Sequence, residues 1–169
     1  MNPAEALRLA RRVAAGEEPE GCEGLYAALL ELRVSFRKPA SWYERALARV
    51  LLGVRRVGEG HWLVPGLPGD RYPLYNVWLG REGRYYCDCY VRLYGWRRRR
   101  AVCTHVASVM LARRWEELRR ALAGDPGEAP RQGPYRVAGQ RDGEHDERAL
   151  GELAGEAPLH EHGAVEREG

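Results

Sequence analysis

Tyr86-Cys87-Asp88-Cys89, then thirteen residues, then Cys103-Thr104-His105-Val106-Ala107: these residues carry most of what the chain says about itself. Three of the four cysteines fall within 17 positions and share them with a histidine close behind. Three thiolates and an imidazole make a complete tetrahedral shell for Zn2+. Cys87 and Cys89, two apart on a predicted strand, would leave the same face of it. Cys103 and His105 cannot share a face in mid-helix, because two residues turn a helix by about 200°. They converge if Cys103 lies just before a helix and His105 in its first turn, where the helix dipole favours thiolate. The expected metal ligands are therefore Cys87, Cys89, Cys103 and His105. Four ligands leave no open position, so a structural site is expected, not a hydrolytic one. Its binding energy would be folding energy for a sheet too small to stand alone. The bland alternatives are buried free cysteines or a CxC redox pair. Cys22 sits in a Gly-Glu stretch far from the cluster and reads as a bystander thiol.

On the N-terminal side of these ligands, His61-Trp62-Leu63-Val64 reads as a short strand stopped by Pro65-Gly66 and Pro68-Gly69-Asp70. Tyr72 to Leu79 reads as a second strand, Gly80-Arg81-Glu82-Gly83 as a hairpin turn, and Arg84 to Tyr90 as a third strand. Thr104 to about Leu122 is a predicted helix, with Val106, Val109, Met110, Leu118 and Leu122 near one stripe. Nearer the N-terminus the period is helical. Pro3 and Glu5 suit a first turn, followed by Leu7, Ala10, Val13 and Ala14 at helical spacing. Gly16 to Gly24 breaks that helix. Leu25, Leu29, Leu32 and Val34 mark a second. Ser41 with Glu44 suggests a capping box for a third, running from Trp42 to about Arg56 with Leu47, Val50, Leu51 and Val54 inward. The predicted class is α+β: N-terminal helices, then a small antiparallel β-sheet followed by a helix joined to it by a zinc site.

This arrangement resembles the SWIM zinc finger, whose pattern is CxC, a variable spacer and CxH on two strands followed by a helix. His61-Trp62-Leu63-Val64-Pro65-Gly66, Tyr75-Asn76-Val77, Tyr86-Cys87-Asp88-Cys89 and Cys103-Thr104-His105-Val106-Ala107 follow the family's order. A helix before the first strand, Ala46 to Gly58, is also typical of it. The resemblance covers residues 42–112 and implies that Cys87, Cys89, Cys103 and His105 bind zinc. One departure is the spacer, which holds Arg97-Arg98-Arg99-Arg100 where small polar residues are often seen. The resemblance implies two functions equally well. SWIM modules occur in proteins thought to bind DNA, including transposase-related and chromatin-remodelling proteins. They also serve as protein-interaction adaptors, for example in recombination mediators that partner a RecA-like recombinase paralogue in recombination or repair.

Charge is divided along the 169 residues. Residues 124–169 carry eleven acidic and five basic side chains, with nine Gly and four Pro, and are predicted to be a disordered acidic tail. Residues 1–123 carry +9. The expected organisation is a helical N-terminal segment (1–41), a SWIM-type zinc-finger domain with flanking helices (42–123) and the tail (124–169). Between 81 and 114, nine Arg stand against Glu82 and Asp88 alone. Eight of the fifteen aromatics lie at Tyr72, Tyr75, Trp78, Tyr85, Tyr86, Tyr90, Tyr94 and Trp96. Arg pairs with phosphates and aromatics stack on bases. The Tyr90–Arg100 loop is thus the predicted nucleic-acid surface, through Arg92, Tyr94, Trp96, Arg97, Arg98, Arg99 and Arg100, with DNA favoured over RNA. Against it, Tyr75, Trp78 and Tyr86 alternate as core positions would, and a four-Arg run is often a solvated loop.

An enzyme is not expected. The chain shows no nucleophile elbow, phosphate loop or HExxH, and its Asp and Glu pairs share no face. His160-Glu161-His162 falls in the tail and reads as incidental, and His61 is expected at the surface. No run approaches the roughly 18 apolar residues of a membrane span. The N-terminus lacks an apolar signal core, so a cytoplasmic protein is expected.

Overall fold

Asn2 opens the first helix with a reciprocal cap. Its side chain accepts from the Glu5 N–H at 2.9 Å, and Glu5 accepts from the Asn2 N–H at 2.8 Å. The computed structural model describes residues 1–89 and 102–124. The predicted tail beyond Gly124 and the Tyr90–Arg100 loop lie outside them. Helix α1 spans Pro3–Ala14, α2 Leu25–Ser35, α3 Ala40–Gly53 and α4 Thr104–Leu122. Four strands, β1 Arg55–Gly58, β2 His61–Pro65, β3 Leu74–Leu79 and β4 Tyr85–Cys87, form one antiparallel meander in sequence order.

The α1 stripe that packs on α3 is built of Ala6, Ala10 and Val13, all fully buried, and their small size lets the two helices approach closely. Helix α2 lies on α4, and α3 and α4 pack on each other and on the sheet. Residues 1–41 and 42–123 contribute to the same apolar core. Leu25, Leu29 and Leu32 from α2, Leu47 and Val50 from α3, Trp62, Val64, Tyr75 and Val77 from the sheet, and Val106, Val109 and Leu111 from α4 all belong to it. Arg114 ties α4 to α2 through a two-pronged pair with Glu31, at 2.7 and 2.8 Å. Both partners keep some solvent contact, so Arg114→Met should cost only about 1 kcal/mol in urea unfolding.

Several boundaries differ from the sequence reading. Helix α3 starts at Ala40 behind Pro39, which makes no side-chain cap, so Ser41 lies in the first turn and the expected Ser41/Glu44 capping box does not form. The helix also ends early, at Gly53, whose φ of +105° no helical residue adopts. Arg55–Gly58 then pairs with β2 as a strand. All four of its residues are exposed, so it carries no alternation for a period-two reading to detect. Among the apolar positions read as helix stripes, Val34 and Leu122 are exposed, and Leu7, Ala14, Leu51, Val54 and Leu118 are half-buried.

Register separates the sheet's aromatics. Val64 pairs with Tyr75 and Trp62 with Val77 on the face against the helices. Trp78 pairs with Tyr86 on the opposite face. Of the three aromatics expected in the core, only Tyr75 is there. Trp78 and Tyr86 are each 36% exposed and stack on one another with ring centroids 6.0 Å apart.

The β2–β3 connection is closed by Gly66, whose N–H donates to the Pro73 carbonyl at 2.8 Å. A Cβ at residue 66 would lie 2.2 Å from the Tyr72 carbonyl oxygen. Gly66→Ala must therefore move backbone, and the expected loss is about 1–3 kcal/mol of stability by thermal or urea unfolding. The same connection carries Asp70, whose carboxylate accepts from the Leu67 N–H at 2.8 Å.

Candidate metal centre

Two structural junctions bring the predicted ligands together. Cys103 is the N-cap of α4, with extended backbone (φ −82°, ψ 166°), and its Sγ accepts from the Val106 N–H at 3.4 Å. His105 follows in the first turn, as the spacing requires. On the other side β4 stops at Cys87, and Asp88 and Cys89 already belong to a helical turn. The expectation that Cys87 and Cys89 share one strand is thus corrected: the turn, not the pleat, aims Cys89 at the site. Asp88 supports that turn. Its buried carboxylate accepts from both the backbone N–H and the side-chain amide of Asn76, each at 3.1 Å. Asn76 in turn meets His61 Nε2 through Oδ1 at 3.1 Å. His61 is therefore half-buried on β2, short of the surface position expected for it.

The donor atoms of Cys87, Cys89, Cys103 and His105 all lie within 4.8 Å of one another, and all four residues are buried. The His105 Nδ1 atom faces the cluster, 3.7 Å from Cys87 Sγ. A four-coordinate ion with metal–sulfur bonds of about 2.3 Å needs donors about 3.8 Å apart. The cluster has that scale and the donors such an ion takes, so it could hold a metal ion. The three thiols and one imidazole would complete its shell.

Electrostatics explain why the cluster suits a cation. Contact with Cys103 and Cys89, together with burial, pushes the Cys87 thiol far up from its ordinary range. Burial also opposes ionisation of Cys103, but hydrogen bonds from Cys87, Cys89 and His105 outweigh it and hold Cys103 well below that range. Crowded thiols cannot all ionise against one another, and a metal removes that conflict by neutralising them together. The α4 N-terminus adds positive potential at Cys103.

Sequence reasoning missed two residues of this site. Asp70 Oδ2 lies 3.8 Å from His105 Nε2, the ring atom turned away from the cluster. Arg49, on α3, is fully buried and pairs with the same carboxylate at 2.5 Å. Burial works against charge on Asp70, but His105, the Leu67 N–H and Arg49 prevail and hold its carboxyl well below the usual carboxylate range. The only sequence signal for Asp70 is the Pro68-Gly69-Asp70 turn, which reads as a stop. Arg49 has none, because an arginine on a helix reads as solvent-facing.

The other predicted positions divide. Arg92, Tyr94, Trp96, Arg97, Arg98, Arg99 and Arg100 lie outside the described residues, although Cys89 and Cys103, close on either side of that segment, both sit in the cluster. Cys22 is buried in the apolar core and is not part of the cluster. Burial is the main cause that raises its thiol pKa. Among the described residues no helix is long and apolar enough to cross a membrane. Comparison of the chain with protein-family models, with curated proteins and with solved structures returns no match to any of them.

Proposed function

We propose that this chain is a non-enzymatic, cytoplasmic SWIM-type zinc protein that binds nucleic acid through the Tyr90–Arg100 segment. The observation that carries the reading is that both flanks of this arginine-rich segment, Cys89 and Cys103, are donors of one four-donor cluster. An ion there would hold Cys89 and Cys103, between which Arg92, Tyr94, Trp96 and Arg97 to Arg100 fall in the sequence, at one site. Three sulfurs and one nitrogen in a closed shell favour zinc over harder cations. The exposed Trp78–Tyr86 stack adds a flat aromatic surface of the kind bases stack on. DNA is favoured over RNA on the resemblance alone.

The test is salt-dependent binding to labelled single- and double-stranded DNA and RNA by fluorescence anisotropy. Changing Arg97, Arg98, Arg99 and Arg100 together to Ala removes up to four phosphate contacts. The slope of log K against log salt should then shrink by about 3, and affinity at low salt should fall by at least about tenfold. Wild-type protein with no salt-sensitive binding to any of these strands would end this reading.

That outcome would favour the second reading, a protein-interaction adaptor such as a partner of a RecA-like recombinase paralogue. One observation speaks for it: α2 leaves Leu30 and Val34, one helical turn apart, exposed at 43% and 88%. Co-purification with a partner that survives nuclease but is lost in Val34→Glu would support it.

A further inference from the structure

We propose that Asp70, held in place by Arg49, is a positioning residue of the metal centre. Its carboxylate sets the ring orientation and tautomer of His105, and it makes metal binding felt at helix α3. The inference rests on the four donors holding a metal and is independent of the nucleic-acid reading.

The two ring nitrogens of His105 face opposite ways. Nδ1 points at the thiol cluster, so it is the atom that must be deprotonated to ligate. Nε2 then carries the proton. It is buried, and it makes no hydrogen bond among the described residues. A buried imidazole N–H without an acceptor is costly, and a ligating histidine characteristically gives that proton to a carboxylate or carbonyl. The group facing it, at 3.8 Å, is Asp70 Oδ2.

Asp70 is too well anchored to be a casual neighbour. Oδ1 accepts from Arg45 at 2.6 Å, and Oδ2 accepts from Arg49 at 2.5 Å and from the Leu67 N–H at 2.8 Å. The side chain of Arg49 is 1% exposed, and its other terminal nitrogen donates to the Arg45 carbonyl at 2.9 Å. Helix α3 thus commits a buried charge to holding one carboxylate against one imidazole. The ring's plane is fixed separately: Tyr75 stacks on it at 3.8 Å, and the Tyr75 hydroxyl accepts from the Tyr72 N–H at 3.2 Å. Tyr75 holds the ring's face and Asp70 holds its edge. His105 therefore reaches α3, on which α1 packs, through a chain of three side chains.

The test uses the full chain, loaded with Zn2+ or Co2+. Asp70→Asn should weaken Zn2+ binding by 10- to 100-fold in competition with a chromophoric chelator. It should also move the His105 Nε2 signal in long-range 1H–15N spectra of the zinc form, and shift the Co2+ ligand-field bands. Arg49→Lys keeps the buried charge but loses the guanidinium fork. It should weaken zinc less, by at least about threefold, and shift the same His105 signal. It serves as the working variant should Asp70→Asn not fold. Arg45→Met, on the solvent side of the same carboxylate, should leave zinc affinity within about twofold. The proposal is overturned if Asp70→Asn or Arg49→Lys lowers the melting temperature of apo and zinc forms equally while zinc affinity and the His105 signal stay as in wild type. Asp70 would then be structural only. Wild-type protein that takes up no zinc or cobalt would overturn both this proposal and the metal reading beneath it.

Discussion

Cys103→Ser should abolish metal binding at the candidate centre and release the sheet from α4. Cys103 caps α4 and contributes one of four donors, so its loss leaves three ligands and removes the thiol from the helix N-terminus. Metal binding in small closed sites is worth on the order of 10 kcal/mol at neutral pH, comparable to the stability of a whole domain. Of the three residues of the short strand β4 only Cys87 is buried, and the strand is otherwise held by its pairing with β3, the Trp78–Tyr86 stack and Tyr85 beside Trp62. In hydrogen exchange, amides of β2 to β4 and of the first turns of α4 should lose protection in Cys103→Ser. The same loss should follow chelation of the wild type. Helices α1 to α3 should stay protected longer, because Ala6, Ala10, Leu29, Leu32 and Leu47 are fully buried in the apolar core and supply none of the donors. Were the chelated wild type to keep full protection across β2 to β4, the ion would not be structural and the reading of this site would fail.

Arg49→Met is the second large effect. A buried guanidinium is expensive to desolvate and is kept only with its partners in place. Arg49 has partners on both terminal nitrogens, Asp70 and the Arg45 carbonyl, while its buried Nε makes no hydrogen bond among the described residues. Removing it leaves the Asp70 carboxylate, largely shielded from water, with Arg45 as its remaining cation. Breaking one partner from a buried pair costs about 3 kcal/mol or more, and that loss is expected in urea unfolding of the metal-loaded chain. Arg45→Met, which removes the more exposed partner, should cost under about 1 kcal/mol. Equal losses in the two variants would show that burial of Arg49 does not set its contribution.

The four donors are legible in the sequence because ligand chemistry is local. Three cysteines and a histidine at paired short spacings admit few arrangements, and Cys103 and His105 can reach one site if a helix starts between them. The apolar stripes of α1, α2 and α4 are legible for the same reason: each is written over two or three turns. The capping box of Asn2 and Glu5 is equally local, since its residues stand three apart, although Glu5 taken alone signals only an acidic first turn.

Features whose cause lies across the molecule cannot be read this way. Strand β1 exists because β2 offers a free edge, and nothing in Arg55-Arg56-Val57-Gly58 announces it. Trp78 and Tyr86 look like core residues until the register puts them opposite each other on the face away from the helices. Asp70 looks like turn punctuation and Arg49 like helix surface, yet they meet across 21 positions of sequence.

Which residues can ligate a metal, where α4 begins and most of the inward positions of the helix stripes are legible in the amino-acid sequence, because they depend on side-chain chemistry and spacing within a few residues. Which sheet face is buried, where the extra strand pairs and which carboxylate stands behind His105 follow from tertiary packing. Those outcomes depend on the burial and charge pairing of segments that meet only once the chain has folded.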